Sequence, residues 1–184
     1  MNESCYLCID LKSFYASVEC VERGLDPLKA KLVVADPERG DNTICLAVTP
    51  TLKKMGVKNR CRIFQIPPTI EYIKAVPRMK LYIKYSARIY KIYLKYFSKD
   101  DIHVYSIDEV FIDASRYLGM YGRDAEAMVK AILKDIFEST GITAACGIGT
   151  NLYLAKIALD IEAKKSKDGI AVLNEKTYRE ILWD

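Results

Sequence analysis

Three carboxylates are the residues of this chain best suited to chemistry: the adjacent pair Asp108 and Glu109, and Asp10 far upstream. Asp108 and Glu109 join two runs of alternating apolar residues within residues 103–113, where a hairpin would turn. Adjacent carboxylates repel each other, and a hard divalent cation would relieve that repulsion. The pair therefore predicts a metal site, with a charged hairpin tip in water as the alternative.

Asp10 ends an apolar run, residues 5–10, that predicts a strand, and Ser13 is expected to cap the helix that follows. In α/β sheets, ligands gather where strands end and helices begin. In a βαββαβ sheet the first strand commonly neighbours the central hairpin, so the three carboxylates can converge. Three convergent carboxylates can hold two Mg²⁺ ions, an arrangement that suits nucleotidyl transfer.

The charge of the chain is unevenly distributed around the acidic pair. Residues 72–99 contain eight Lys or Arg and no acid, whereas residues 100–113 contain five acids and no Lys or Arg. This pattern suits a polyanion handled through metal ions, and an ordinary solvated helix face is the alternative. A single histidine, His103, and the lack of a P-loop disfavour histidine-centred hydrolysis and Walker-type ATP use.

Length and composition indicate one compact domain, or one domain with a smaller lobe. The chain has 184 residues, 51% of them hydrophobic, and no apolar run of the roughly 20 residues that a membrane-spanning helix needs. Its start lacks the pattern of a signal peptide, and its six cysteines lack the spacing of a disulfide framework. We therefore expect no membrane partner, a cytoplasmic location and buried, structural thiols.

The elements that must position the carboxylates follow from hydrophobic periodicity. Strands are expected near residues 32–35, 44–48, 142–148 and 170–173, and helices near 49–56, 79–97, 123–139 and 151–163, with a last helix starting at Asn174. Their order predicts an α+β fold, a βαββαβ ferredoxin-like mixed sheet with helices on one face, plus a small subdomain.

Three segments of the chain resemble motifs of the Y-family (translesion) DNA polymerases of the UmuC/DinB type. Residues 8–19, Cys-Ile-Asp-Leu-Lys-Ser-Phe-Tyr-Ala-Ser-Val-Glu, resemble the first motif, and residues 105–113 resemble the S-I-D-E catalytic motif. Residues 147–151 with 154–158 resemble the third block. The order and spacing are similar to those of the family, and the resemblance covers nearly the whole chain.

The resemblance implies a polymerase palm in which Asp10, Asp108, Glu109 and the backbone carbonyl of Leu11 hold two Mg²⁺ ions. Glu109 would lie nearest the ion that activates the primer 3′-hydroxyl.

The resemblance also assigns residues to the nucleotide. Tyr15 would be the steric gate that excludes a ribonucleotide 2′-hydroxyl, with Phe14 packed beside it. Lys164 would contact the incoming triphosphate, and Lys156 is a weaker candidate for the same role.

The sequence departs from the family in the fingers helix. The family commonly has a Tyr and an Arg there, whereas this chain has Pro50 or Leu52 and then Lys53 or Lys54 near those positions. Thr49, Thr51 and Lys53 are the expected substitutes at the triphosphate. Lysine is a point charge rather than a planar fork, so its grip should be less selective in geometry.

The family's organisation places the palm at residues 1–22 and 78–184 and the fingers at residues 23–77, with the thumb and little finger expected beyond residue 184. The implied function is two-metal transfer of a dNTP to a primer 3′-hydroxyl on damaged template, in DNA repair or the SOS response. The implied partners are primer-template DNA, dNTP and, through the regions beyond this chain, a sliding clamp.

Two other functions stay open. A nucleotidyl cyclase-like palm enzyme would use the same metal chemistry on one nucleotide without DNA, although Tyr15 and the basic stretch argue against it. A non-catalytic DNA-repair interaction module would keep the fold and lose the chemistry.

Overall fold

The computed structural model of the chain describes residues 4–122 and 124–183, which fall into two compact units, one of Met1–Leu11 with Ser86–Asp184 and one of Lys12–Tyr85. The strands are β1 (Tyr6–Leu11), β2 (Leu32–Val34), β3 (Ala47–Val48), β4 (Ile73–Ala75), β5 (Ile102–Val104), β6 (Glu109–Asp113), β7 (Ala144–Gly149) and β8 (Ile170–Leu173). The α-helices are α1 (Phe14–Val21), α2 (Pro50–Lys54), α3 (Met79–Tyr96), α4 (Ala125–Thr140), α5 (Leu152–Ala158) and α6 (Glu175–Trp183).

The larger unit is built on a five-stranded sheet of order β5-β6-β1-β7-β8. The central strand β1 is antiparallel to both β6 and β7, and β8 adds to β7 in parallel. Leu7, Cys8 and Ile9 are fully buried, as expected for a strand covered on both faces. The mixed sheet confirms the α+β fold that the sequence predicts.

Helices cover both faces of this sheet, so the expectation of helices on one face alone is wrong. Helix α5 packs closely on β7, because Gly147 and Gly149 have no side chain there: a Cβ on Gly147 would lie 2.0 Å from the carbonyl oxygen of Ala155. Side chains of α4 line a surface cavity with Ala144 and Ile170, which alternate with the residues that face α5.

The antiparallel pairing of β5 with β6 confirms the expected hairpin, but the acidic pair does not sit together in its turn. Glu109 is the first residue of β6, and only Asp108 belongs to the connection between β5 and β6. The backbone N–H groups of Tyr105 and Ser106 both donate to the carbonyl oxygen of Glu109, each at 3.0 Å. Glu109 is therefore held by the sheet rather than by a mobile loop tip.

The smaller unit, Lys12–Tyr85, contains a three-stranded sheet of order β3-β2-β4, with β3 antiparallel and β4 parallel to β2. The expected strand at 44–48 is shorter than predicted, since only Ala47 and Val48 form β3. The core beneath it includes Val33, Val48 and Leu52.

The remaining local predictions concern the starts of α1 and α4, the cysteines and membrane-spanning helices. Ser13 stands at the predicted N-cap position of α1, but its backbone is left-handed (φ 49°, ψ 46°) and its side chain makes no capping hydrogen bond. The predicted start of α4 at Arg123 lies outside the described residues. All six cysteines are buried and none of them forms a disulfide, as expected. None of the helices in the described part of the chain is long and apolar enough to cross a membrane.

Candidate carboxylate–lysine site

The sheet brings the three predicted carboxylate residues to the C-terminal end of β1. Asp10 lies directly opposite Glu109 in the antiparallel β1–β6 register. The backbone N–H of Leu11 donates to the carbonyl oxygen of Asp108 at 3.0 Å, which ties the connection before β6 to the end of β1. The Asp108 side chain in turn accepts a 2.7 Å hydrogen bond from the hydroxyl of Ser106. Asp10, Leu11, Asp108 and Glu109 are therefore neighbours, held by backbone hydrogen bonds.

Two lysines reach these carboxylates from the helical segment that follows β7. The ammonium group of Lys156 on α5 lies 2.6 Å from Oε1 of Glu109, and that of Lys164 lies 3.2 Å from Oδ2 of Asp10. Both lysines also contact Asp160, at 3.3 Å and 2.8 Å respectively. The site is thus a compact group of alternating charges at one end of the sheet.

The charges around the site change the proton affinities of its groups. Burial raises the pKa of Asp10, the ammonium of Lys164 opposes that effect, and the carboxylates of Asp108 and Glu109 raise the pKa further. Burial lowers the pKa of the Lys156 amine, but its hydrogen bond to Glu109 and the negative charges of Glu109 and Asp160 together outweigh burial, so the net pKa is raised. The lysines are therefore firmly protonated, and the like charges of the carboxylates need positive partners.

The donor types at this site fit a hard divalent cation such as Mg²⁺, which prefers carboxylate oxygens. The repulsion that raises the pKa of Asp10 is the kind that such a cation relieves. In the described residues, however, no three His, Cys, Asp or Glu side chains are already grouped to hold an ion. Lys156 and Lys164 are instead the partners of Glu109 and Asp10.

The predicted gate residues belong to the smaller unit. The ring of Tyr15 stacks on that of Tyr82, with centroids 4.5 Å apart and planes at 15°, and the ring of Phe14 lies 5.8 Å from that of Tyr15. Tyr82 is fully buried, and its hydroxyl donates to Oε1 of Glu19 at 2.7 Å. Tyr15 therefore rests on a ring whose own position is fixed by a buried hydrogen bond.

The predicted fingers residues also lie in the smaller unit. Thr49 is fully buried and its hydroxyl accepts the backbone N–H of Leu32 at 3.1 Å. The ammonium of Lys53 donates to the hydroxyl of Ser13 at 2.9 Å. Their assignment to the triphosphate stays a prediction, as do the gate role of Tyr15 and the palm and fingers boundaries.

Sequence reasoning missed two members of the site. Asp160 bridges both lysines, and the thiol of Cys8 donates to Oε1 of Glu109 at 3.4 Å. The spacing of Lys156, Asp160 and Lys164 is a detectable signal, because charges four residues apart on a helix are neighbours. Cys8 offered no such signal, since an apolar strand is an ordinary place for a buried thiol.

Comparisons with known proteins identify relatives of this chain. The impB/mucB/samB family model matches residues 9–160. The chain is 41% identical over 180 residues to UvrX of Bacillus subtilis, a protein named for UV-damage repair, and 36% identical over 184 residues to DNA polymerase IV 2 of the same organism. These alignments cover 96% and 100% of this chain but only 41% and 44% of the relatives. The chain thus spans less than half the length of these relatives.

Solved structures of Y-family DNA polymerases also match nearly the whole chain. The insertion ternary complex of Dbh DNA polymerase matches with a TM-score of 0.81 and 27% identity, covering 97% of this chain and 51% of that one. A Y-family DNA polymerase chimera of Dbh and Dpo4 matches with a TM-score of 0.79 and 26% identity, again over 97% of this chain and 51% of that one.

Proposed function

The chain belongs to the impB/mucB/samB family, and we propose on this premise that it is the palm and fingers portion of a translesion DNA polymerase. The observation that carries the proposal is the backbone placement of Asp10, Asp108 and Glu109 at the C-terminal end of β1, with lysines against Asp10 and Glu109. A non-catalytic module has no need to hold like charges so close together.

Asp10, Asp108, Glu109 and the carbonyl of Leu11 would hold the divalent ions. Bound there, the ions would activate a primer 3′-hydroxyl and balance the charge that builds up on the leaving pyrophosphate. The sheet register fixes two of these carboxylates before any substrate arrives, which lowers the cost of ordering them.

Other residues would act on the nucleotide itself. Lys164 and Lys156 supply positive charge for the triphosphate, and Thr49 and Lys53 are the proposed substitutes for the family's fingers contacts. The ring of Tyr15, with Phe14 beside it, would exclude a 2′-hydroxyl by volume. The stack of Tyr15 on buried Tyr82 supports that proposal, because a gate must resist displacement.

The proposed substrates are primer-template DNA and dNTPs, on damaged template in a DNA-repair or SOS setting. A polymerase that serves the chromosome of a bacterium works in the cytoplasm, and a sliding clamp is a further proposed partner. Primer extension with and without a clamp would test the latter.

The test of the function is primer extension with Mg²⁺ by the product of the gene that encodes this chain. Asp108→Asn should lower the rate by about a thousandfold, since it removes a charged ligand of the activating ions. The matched control is Asp113→Asn at the far end of β6, the strand that follows Asp108, and it should retain activity. Equal extension by wild type and Asp108→Asn contradicts the proposal, and cyclic nucleotide made from NTP without DNA would favour a cyclase.

A further inference from the structure

Lys156 and Lys164 contact the two predicted metal-ligand carboxylates that face each other in the sheet, and a single acid, Asp160, joins them. We propose that the two lysines are exchangeable counterions that a divalent cation displaces from Glu109 and Asp10, and that Asp160 is the positioning residue that retains them at the site. The proposal rests on the proposed function, because it takes Asp10 and Glu109 to be metal ligands.

The geometry is a bridge with Asp160 at its centre. Oδ2 of Asp160 lies 3.3 Å from the ammonium of Lys156, and Oδ1 lies 2.8 Å from that of Lys164. Each lysine has its second carboxylate partner in the sheet, Glu109 at 2.6 Å and Asp10 at 3.2 Å. Each ammonium group therefore has one partner that would bind metal and one that would not.

The backbone around Asp160 suits this bridge. Lys156 lies on α5, and the helix continues as a π-helix over Leu159–Ala163, with Lys164 directly after it. Short π-helical turns are rare and occur frequently at functional sites. Asp160 lies four residues from each lysine, so both pairs run along one continuous helical segment.

Lysine is the right residue for exchange. Its ammonium group is a compact point charge on a flexible four-carbon stem, so it can leave one oxygen for another at little cost. The side chains of Lys156 and Lys164 are 31% and 35% exposed, which leaves them room to move. When a cation takes Glu109 or Asp10, the displaced lysine keeps its contact with Asp160 and is not released into solvent.

The charge of the group favours a cation even with both lysines seated. Four carboxylates and two ammonium groups leave a formal charge of −2, which one divalent ion balances. The two displaced lysines then share the single carboxylate of Asp160, which leaves one positive charge beside the bound ion. A metal-bound triphosphate is the anion that this charge would attract, so loading of metal and capture of nucleotide are coupled.

The experiment is a titration of the 184-residue chain with Mn²⁺, without DNA or nucleotide, in which electron paramagnetic resonance measures free Mn²⁺. Lys156→Met should bind Mn²⁺ about five- to tenfold more tightly than wild type, because Glu109 loses its competing cation. Lys165→Met is the control: the same charge is lost from an exposed lysine that makes no ion pair among the described residues, and affinity should change less than about twofold.

Asp160→Asn should act in the opposite direction and weaken Mn²⁺ binding. Without its carboxylate, a displaced lysine has no second partner, and the site also loses one negative charge. This effect should shrink when both lysines are replaced by Met, as expected if Asp160 acts through them. A residue with only a structural role would give the same loss in both backgrounds.

Two results would overturn the exchange: equal Mn²⁺ affinity in wild type and Lys156→Met, or equal gains in Lys156→Met and Lys165→Met. Either result with a primer extension that still depends on Asp108 contradicts the exchange alone. The proposed function is contradicted as well if no variant binds Mn²⁺ and Asp108→Asn leaves the rate of primer extension unchanged.

Discussion

Two glutamates are buried in the part of the chain that the structure describes, and they are held in opposite ways. Glu19 in the smaller unit is fully buried and accepts hydrogen bonds from Arg78, Arg23 and the hydroxyl of Tyr82. Glu109 in the larger unit is 8% exposed and has one ammonium group and one thiol as its partners.

The difference shows how the partners of a structural carboxylate can differ from those of a carboxylate that is proposed to bind a metal ion. Nε and Nη2 of Arg78 reach the two oxygens of Glu19 at 2.9 and 2.7 Å, a planar fork that matches the carboxylate plane. Such a pair has one good geometry and is hard to exchange. The single ammonium on Glu109 has no such constraint, so a cation can replace it without breaking the fold.

The largest expected effect concerns the support of the Glu109 site. Gly147→Ala would place a Cβ 2.0 Å from the carbonyl oxygen of Ala155 and 2.4 Å from the backbone nitrogen of Leu159, so α5 must move away from β7. We expect a loss of about 3 kcal/mol in the free energy of unfolding, measured by urea denaturation. Gly119→Ala, with no atom within 4 Å of its Cβ, is the control and should be nearly neutral.

Glu19→Gln should be the next largest. The amide keeps the shape but replaces an acceptor with a donor among three donors, and the buried Tyr82 hydroxyl loses a charged partner. We expect a loss of about 2 to 3 kcal/mol in urea denaturation at pH 7. Glu22→Gln, an exposed residue that accepts only from the Tyr85 hydroxyl among the described contacts, should cost less than about 1 kcal/mol. Similar losses in both variants would remove the special status of Glu19.

The difference in stability between wild type and Glu19→Gln should also depend on pH. Burial raises the pKa of Glu19, but its hydrogen bonds from Arg78, Arg23 and Tyr82 outweigh burial and hold the pKa below its usual 4.5. Because the folded pKa is depressed, the stabilisation is fully present above about pH 5 and is lost as the pH falls through the folded value. The stability gap between wild type and Glu19→Gln should therefore narrow below about pH 4. A gap that stays constant down to pH 3 would show that the charge of Glu19 contributes nothing.

The smallest expected effect is on the other side of the comparison. Lys156→Met breaks the ion pair with Glu109, yet the free energy of unfolding should change by less than about 1 kcal/mol, since Lys156 is partly exposed and Glu109 keeps the Cys8 thiol as a donor. Thermal and urea denaturation of wild type and variant would measure it. A loss as large as that of Glu19→Gln would mean that Lys156 holds the fold, and would erase the contrast between the two sites.

Much of the site could be read from the chain. The apolar run ending at Asp10 and the alternating run after Asp108 are local signals, because a strand shows its buried residues in its own pattern. The motif around Ser106-Ile107-Asp108-Glu109 named the family that the comparisons confirm. The partners of a buried charge are harder to predict from the sequence. Glu19 looks like an ordinary solvent-exposed acid on its helix, because its partners Arg78 and Tyr82 are far away in the sequence.

The sequence by itself determined which residues carry charge, because charge follows from residue type. It also determined most of the segments that form strands and helices, because those depend largely on neighbours in the chain. Only the tertiary structure decided the partner of each charge. It placed Glu109 at the start of β6 opposite Asp10, brought Lys156 to it across the close contact of α5 with Gly147, and made Asp160 a bridge. Those outcomes depend on sheet order and helix packing, in which residues from distant parts of the chain compete for the same few ångströms.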